Sequence, residues 1–476
     1  MKYYEKNEIY SERTAVIDTV GNQLTYKDLY TYSAKIASIV PRRSLVFSFC
    51  HNVAGSLAGY FGFLSNEIVP VLLDMHIEDA LVENLLSIYQ PSYLYIPTEM
   101  KDKYGMFDCV LEQYDYCLLK TDYGVTHSLY SKLALLLTTS GSTGSPKFVR
   151  QSYENIEANA ESIAQYLKLD ETEHPITTLP MNYTYGLSII NSHLLVGATI
   201  LMTDFTLMEK GFWEFFKKES ATSFGGVPYT YEILKKLRFF RMDLPSLRTM
   251  TQAGGKLSPE LHKEFAQYAK EQGKQFVVMY GQTEATARMA YLPAERSLEK
   301  YGSMGVAIPG GKFTLVDVEG QAITEAGVTG ELVYEGPNVT LGYAECLADL
   351  KKEDERHGKL ITGDMAKMDE DGYFYIVGRK KRFLKIYGNR VNLDEVERML
   401  KSNFERFEFA CGGVDDQLYV FITTENEEIK RKVKMFLTEK TGLNPKAFTI
   451  QSIVQIPKNE AGKTLYIKLE EYYGVH

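Results

Sequence analysis

The sequence predicts an α/β protein: a large N-terminal domain over residues 1–378, a hinge at 379–382 and a small α+β domain over 383–476. Three observations carry this. Short apolar runs alternate with amphipathic segments through most of the chain, the pattern of α/β units with mostly parallel sheets. From Gly302 to Tyr343 the texture changes to short strand-like runs between glycine-rich turns, which marks a small β-rich subdomain. The basic cluster Gly378-Arg379-Lys380-Lys381-Arg382 then follows a strand-like run and precedes a stretch with strands and helices of its own. With 476 residues, 45% of them hydrophobic, the chain has material for two or three cores.

Residues 45–49, 68–73 and 176–179 read as buried strands, short and apolar. So do residues 135–137, which run directly into a tract of threonine, serine and glycine. The apolar stretch 187–202 contains Asn191, Ser192, His193 and Gly197, so it reads as a buried helix followed by a strand and not as a membrane span. Ser258-Pro259-Glu260 is a helix start, with serine as the cap and proline in the first turn, for a helix to about Gln272. Residues 276–279 are a further strand, 313–316 and 330–334 belong to the β-rich part, and 373–377 lead into the basic cluster.

Four motifs carry chemistry. The first is Thr139-Ser140-Gly141-Ser142-Thr143-Gly144-Ser145-Pro146-Lys147. Its glycines allow close approach of backbone to an anion, its hydroxyls donate to oxygens, and Lys147 adds charge. It is not a Walker A loop, because Gly144 is followed by Ser-Pro where that motif needs Lys-Ser/Thr. The second, Tyr280-Gly281-Gln282-Thr283-Glu284, lies at the end of a predicted strand, where open α/β sheets place ligands. Tyr280 offers a face for a purine, Thr283 a donor to phosphate, and Glu284 a hard oxygen for Mg2+. The third pairs Thr362-Gly363-Asp364, a carboxylate expected after a tight glycine turn and suited to ribose hydroxyls, with Arg379. The fourth, Pro457-Lys458-Asn459-Glu460-Ala461-Gly462-Lys463, sets a lysine on a glycine turn in the C-terminal domain.

The order of these motifs resembles the adenylate-forming superfamily of acyl-CoA synthetases, peptide-synthetase adenylation domains and luciferases. The weaker elements Leu24-Thr25-Tyr26-Lys27-Asp28-Leu29, Gly330-Glu331-Leu332 and Gly342-Tyr343 extend the likeness over essentially the whole chain. The resemblance implies two α/β sheet layers plus the β-rich subdomain, with the C-terminal domain as a rotating lid. It implies ATP and Mg2+ as cofactors, a small carboxylic acid as substrate, and the thiol of coenzyme A or of a carrier-protein phosphopantetheine as acceptor. Thr139 to Gly144 and Lys147 would cradle phosphates. Tyr280 and Gly281 would border adenine, Thr283 would contact phosphate, Glu284 would hold Mg2+, and Asp364 and Arg379 would bind ribose. Lys463 would be the adenylation lysine, Lys381 the pivot, and Lys385 a lysine of the second half-reaction. Tyr183, Tyr185, Val227, Tyr229, Gly254, Gly255 and Lys256 would line the acid pocket.

The sequence departs from the family pattern in places. Thr184 stands where peptide-synthetase domains place an aspartate, which disfavours an α-amino acid. Phe148 follows Lys147 where glycine is usual, and Tyr466 stands where an arginine is common. Two rival readings are a carrier-loading ligase and a non-catalytic nucleotide-binding protein; Glu284, Asp364, Arg379 and Lys463 together argue against the second.

The net charge of −9 excludes a generic nucleic-acid binder. The N-terminus lacks an apolar signal region, and the five cysteines are odd in number and scattered, with no C-x-x-C pair. The expectation is a cytoplasmic protein without a membrane segment, a disulfide framework or a zinc site.

Overall fold

The computed structural model describes residues 9–124, 128–138, 147–387, 389–458 and 464–473, without the side chains of 381, 389 and 390. By compactness the chain forms two units, residues 1–313 with 334–360 and residues 314–333 with 361–476. Compactness thus groups most of a β-sheet with the C-terminal residues, whereas the sequence reading set its boundary after Gly378.

The first unit holds two large sheets. In one, Thr14–Asp18, Ile200–Met202, Pro175–Ile176, Ser223–Gly226, Thr249–Gln252 and Gln275–Gln282 lie side by side in parallel. Antiparallel strands Gln23–Thr25 and Ala287–Tyr291 flank them, and Val306–Ala307 closes the far edge. In the other, Leu45–Cys50, Val69–Asp74, Tyr93–Pro97 and Leu133–Thr138 form a parallel centre. Phe148–Ser152, Gly342–Ala344, Tyr116–Lys120 and Asp108–Gln113 pair antiparallel outside it. The α/β class is as predicted, but within the two large sheets parallel pairing is confined to the centres and antiparallel strands form the edges.

The stretch 187–202 resolves as expected into the helix Thr184–Leu195, buried from Tyr185 onward, and the strand Ile200–Met202. The helix Ala54–Ser65 is likewise buried along its length. A helix apolar on all sides needs cover on all sides, and one core cluster joins both helices to residues of both sheets, among them Val46, Leu135, Ile190 and Ile200. The polar Asn191 fits there because its amide oxygen accepts from Tyr60 Oη at 2.9 Å. The helix Pro259–Glu271 starts as predicted, Ser258 Oγ accepting from Leu261 N at 3.2 Å.

Two strand expectations shift. Of residues 176–179 only the first stays in the ladder, in Pro175–Ile176. Thr177 N still donates to the Leu201 carbonyl at 2.9 Å, while the Thr177 hydroxyl donates to the Thr203 carbonyl and that of Thr178 to Gly225, so side-chain bonds take up where the ladder ends. The strand over 276–279 runs on through Gln282, because Ala287–Tyr291 folds back against it with Gly281 opposite Arg288. A Cβ on Gly281 would lie 1.6 Å from the Ala287 carbonyl oxygen, so glycine is required there by the crossing backbone itself.

The second unit carries most of a five-stranded sheet in which Lys359–Met368 and Phe374–Arg379 pair antiparallel. A two-stranded ladder, Phe383–Ile386 with Asn389–Asn392, and a three-stranded sheet of Phe409–Val414, Gln417–Ile422 and Phe448–Ser452 follow. The helices Leu393–Asn403 and Glu427–Thr441 share with them a core that includes Ile386, Leu400, Val420 and Leu437. This is the α+β character expected of the C-terminal residues. Among the described residues no helix is long and apolar enough to cross a membrane.

Candidate functional site

Lys147 directly precedes the strand Phe148–Ser152, whose antiparallel partner Gly342–Ala344 sets Tyr343 opposite Val149. The partner strand is pinned by Arg150, fully buried, which donates through Nε to the Tyr343 carbonyl at 3.0 Å and through Nη2 to Glu355 Oε2 at 2.6 Å. Across this ladder Lys147 Nζ lies 3.9 Å from the centre of the Tyr343 ring and 3.6 Å from Glu345 Oε1.

The Tyr343 hydroxyl donates to Glu284 Oε1 at 2.7 Å. Burial first, and then the charge of Glu284, push that hydroxyl up to about 12, so it stays protonated at neutral pH. Glu284 sits in the turn Thr283–Ala285, held by its main chain: its carbonyl accepts from Thr340 N at 3.0 Å, Thr340 Oγ1 at 2.9 Å and Arg356 Nη1 at 3.1 Å. The Arg356 guanidinium lies 4.6 Å from the Tyr343 ring centre. Two cations and one carboxylate therefore meet around a single phenol. The carboxylate is a hard oxygen donor with one oxygen engaged by a neutral hydroxyl, a donor chemistry that suits Mg2+ shared with phosphate oxygens.

Of the predicted residues, the structure thus brings Lys147 and Glu284 together, with Thr283 buried beside Glu284. Tyr280 lies in the preceding strand, its hydroxyl accepting from Gln282 Nε2 at 3.2 Å. Thr139, Ser140, Gly141, Ser142, Thr143, Gly144 and Lys463 lie outside the described residues.

In the second unit Asp364 is not a turn residue. Gly363, at φ +70°, is a kink inside the strand Lys359–Met368, and Asp364 faces Arg379 across the ladder, where Arg379 Nε meets Asp364 Oδ1 at 2.8 Å. Lys385 is exposed on Phe383–Ile386. Arg382, in the predicted hinge, is anchored: it pairs with Asp394 and Glu397, donates to the Cys411 carbonyl at 2.8 Å and lies 3.7 Å from the Tyr466 ring centre.

The acid-pocket candidates separate. Tyr183, Val227 and Gly254 converge: a Cβ on Gly254 would lie 2.7 Å from Tyr183 Oη and 3.1 Å from Val227 Cγ1. Tyr185 is buried deeper, its hydroxyl bonded to Thr251 Oγ1 at 2.8 Å. Tyr229, Gly255 and Lys256 are exposed. Sequence reasoning missed Arg356, which belongs to no motif, and took Tyr343 only as part of a weak Gly-Tyr element.

The cysteines are all unpaired. Cys109 and Cys117 are far apart in spacing terms, yet they lie on the antiparallel strands Asp108–Gln113 and Tyr116–Lys120, with Cys117 opposite Glu112 and Cys109 opposite Leu119. A register shift between Cys109 and Leu111 brings Cys109 and Glu112 to the same face, so both thiols and the Glu112 carboxylate lie within 4.8 Å of one another.

The family model described as AMP-binding enzyme matches residues 4–344. Among curated proteins, a probable CoA ligase of Humulus lupulus is 28% identical over 70% of this chain and 65% of its own length. A 2-succinylbenzoate–CoA ligase of Geobacillus kaustophilus is 29% identical over 71% of this chain and 69% of its own. The chain thus spans less than two thirds of the first of these relatives. Among solved structures, the O-succinylbenzoate coenzyme A synthetase of Bacillus subtilis in complex with AMP superposes with a TM-score of 0.76 at 20% identity, covering 98% of this chain and 97% of that one, and so shares its fold. The family match covers both the strand leading to Lys147 and the turn bearing Glu284, and the chain belongs to the AMP-binding enzyme family.

Proposed function

We propose that the protein is an AMP-forming carboxylic acid ligase that passes its acyl group to the thiol of coenzyme A. A carboxylate oxygen attacks the α-phosphorus of ATP, the bond to the β-phosphate oxygen breaks, and pyrophosphate leaves. The thiol then attacks the acyl carbon of the acyl-AMP, losing its proton as AMP departs. No protein nucleophile is required; positioning and charge stabilisation carry both steps. The observation that supports this reading most directly is the convergence of Lys147 and Glu284 on Tyr343 within the stretch that matches the family.

The residue roles follow the resemblance. Lys147, with the 139–144 loop, cradles phosphates; Glu284 offers the hard oxygen for Mg2+, whose charge, when bound, offsets that of the phosphates. Tyr280 borders adenine, and Asp364 and Arg379 share the ribose hydroxyls. The acid enters beside Tyr183, Val227 and Gly254. Residues 1–378 bind ATP and acid, 383–476 act as the lid with Lys463 and Lys385 serving the two half-reactions, and the pivot lies in 379–382. The relatives named above act as CoA ligases, which supports coenzyme A as acceptor. The five unpaired cysteines suit a reducing compartment such as the cytoplasm.

The test is acid-dependent exchange of pyrophosphate into ATP over a panel of carboxylic acids, with the nucleotide product identified. Exchange with at least one acid and release of AMP are expected. Release of ADP, or no exchange with any acid, overturns the proposal. Coenzyme A and a phosphopantetheinylated carrier protein, offered in parallel, decide the acceptor.

A further inference from the structure

Arg288, on the strand Ala287–Tyr291, is 2% exposed and takes part in no ion pair among the described residues. Its partners are neutral. Nε donates to Ser188 Oγ at 3.1 Å, and Nη1 donates to Tyr166 Oη at 3.0 Å and approaches Met279 Sδ at 3.3 Å. Its guanidinium lies 5.2 Å from the Tyr185 ring centre. Nη2 takes part in none of these bonds. A buried guanidinium is costly unless an anion accompanies it, and the described residues supply none here.

The charge borders a small open-ended cavity with free space for about one water molecule, whose lining includes Gly225, Thr251, Ile189, His193 and Arg288. A second orphan faces the same region. His193 is 3% exposed; its Nδ1 lies 2.8 Å from the Ile189 carbonyl, which only an N–H can satisfy, and its Nε2 has no partner. Burial pushes this imidazole down to about 4, so it is neutral and adds no competing charge near Arg288. Gly225 lets Ile189 and Tyr185 pack directly against its main chain, since a Cβ there would lie 2.8 Å from Ile189 Cδ1 and 2.9 Å from Tyr185 Oη. Tyr185 connects this cavity with the proposed acid pocket, since its ring meets Arg288 and it packs in one cluster with Val227 and Tyr183. The backbone of Arg288 is fixed, its carbonyl accepting from Asn159 Nδ2 at 2.9 Å and Asn338 Nδ2 at 3.0 Å.

The geometry points to an anion subsite at Arg288 that takes a second carboxylate, remote from the reacting one, so that the acid substrate is a dicarboxylic acid. This rests on the ligase reading above for the fate of the first carboxylate only. The second is bound and not transformed: Arg288 supplies the charge-assisted hydrogen bonds, and one proton taken up from water as the carboxylate enters is shared between it and His193 Nε2.

The experiment compares dicarboxylic acids of increasing length with their half-methyl esters, which are nearly isosteric but lack the second charge. Two readouts are used with the full-length protein: kcat/KM in pyrophosphate exchange and the shift in melting temperature on adding acid. In the wild type at least one diacid is expected to exceed its half-ester by about 10- to 100-fold in kcat/KM, the worth of a charge-assisted hydrogen bond. Arg288→Met should erase that ratio, and Arg288→Lys should restore part of it. Half-esters equal to or better than every diacid in the wild type overturn the inference, whether or not Arg288→Met folds, and leave the ligase reading standing. If no acid supports exchange, the ligase reading fails. The subsite then stands or falls on whether diacids, and not half-esters, raise the melting temperature of the wild type and fail to raise that of Arg288→Met.

Discussion

Replacing Tyr343 by phenylalanine removes one oxygen from the centre of the proposed phosphate site and leaves the ring that Lys147 and Arg356 approach at 3.9 and 4.6 Å. The loss is the hydrogen bond to Glu284 Oε1 at 2.7 Å. A bond to a charged acceptor is worth about 1.5–3 kcal/mol, or roughly 10- to 100-fold in an equilibrium constant. Outer partners of metal-binding side chains typically change metal affinity by a similar factor. Tyr343→Phe should therefore raise the free Mg2+ needed for half-maximal pyrophosphate exchange by about 10- to 100-fold, while Glu284→Gln, which removes the charge itself, should raise it further. The assay is an Mg2+ titration at fixed ATP, with thermal melting as a check on folding. An unchanged titration for Tyr343→Phe refutes the positioning argument. A lowered Mg2+ requirement refutes it more sharply, because it would mean that the phenol competes with the cation for Oε1.

Three further outcomes follow from the same reading. Lys463→Ala should lower acyl-AMP formation by roughly 10²–10³-fold, the scale for losing one electrostatic stabiliser, and should affect thioester formation from supplied acyl-AMP much less; equal loss in both steps contradicts its role. Lys381→Pro should spare adenylation and block thioester formation from acyl-AMP, since proline fixes φ at the proposed pivot; thioester formation at the wild-type rate excludes rotation there. Burial lowers both His193 and His262 to about 4, and Gly302 N donating to His262 Nδ1 at 3.2 Å fits a neutral ring. The unfolded chain binds protons below its ordinary value near 6.5 that the folded chain refuses. Stability is therefore full above 6.5 and is lost as pH falls towards 4, by up to about 3 kcal/mol per histidine; urea midpoints unchanged between pH 7 and 4.5 would contradict this.

Much of this architecture was legible because local signals and burial agree. The Ser258-Pro259 start, the apolar runs that became parallel strands and the buried stretch after Thr184 each follow from patterns of a few residues. What escaped depends on contacts distant in sequence. Gly281 resembles a ligand-facing glycine, yet the Ala287 carbonyl crossing it explains the residue. Asp364 reads as a turn because Gly363 precedes it, but Arg379 across the ladder keeps the chain extended. Arg356 and Arg288 carry no local signal, since a lone arginine between ordinary neighbours looks like surface until burial and partners are known. Cys109 and Cys117 meet through hairpin register and a bulge, neither of which spacing reveals.

The basic run at 379–382 shows how partners sharpen a motif. In sequence it is four like charges, a solvated linker. In the structure Arg379 pairs with Asp364 and Lys380 with Glu331, both on the five-stranded sheet. Arg382 pairs with Asp394 and Glu397 on the helix Leu393–Asn403. Allegiance changes between 380 and 382, which leaves Lys381 as the position where a turn would disturb fewest of these pairs. Bonds that cross it include Asn392 Nδ2 to the Val377 carbonyl at 3.1 Å, and Arg379 N to Asp394 Oδ2 at 3.2 Å. A lid that turns at Lys381 must release both, at a cost of about 0.5–1.5 kcal/mol for the neutral bond and 1.5–3 kcal/mol for the one to a carboxylate.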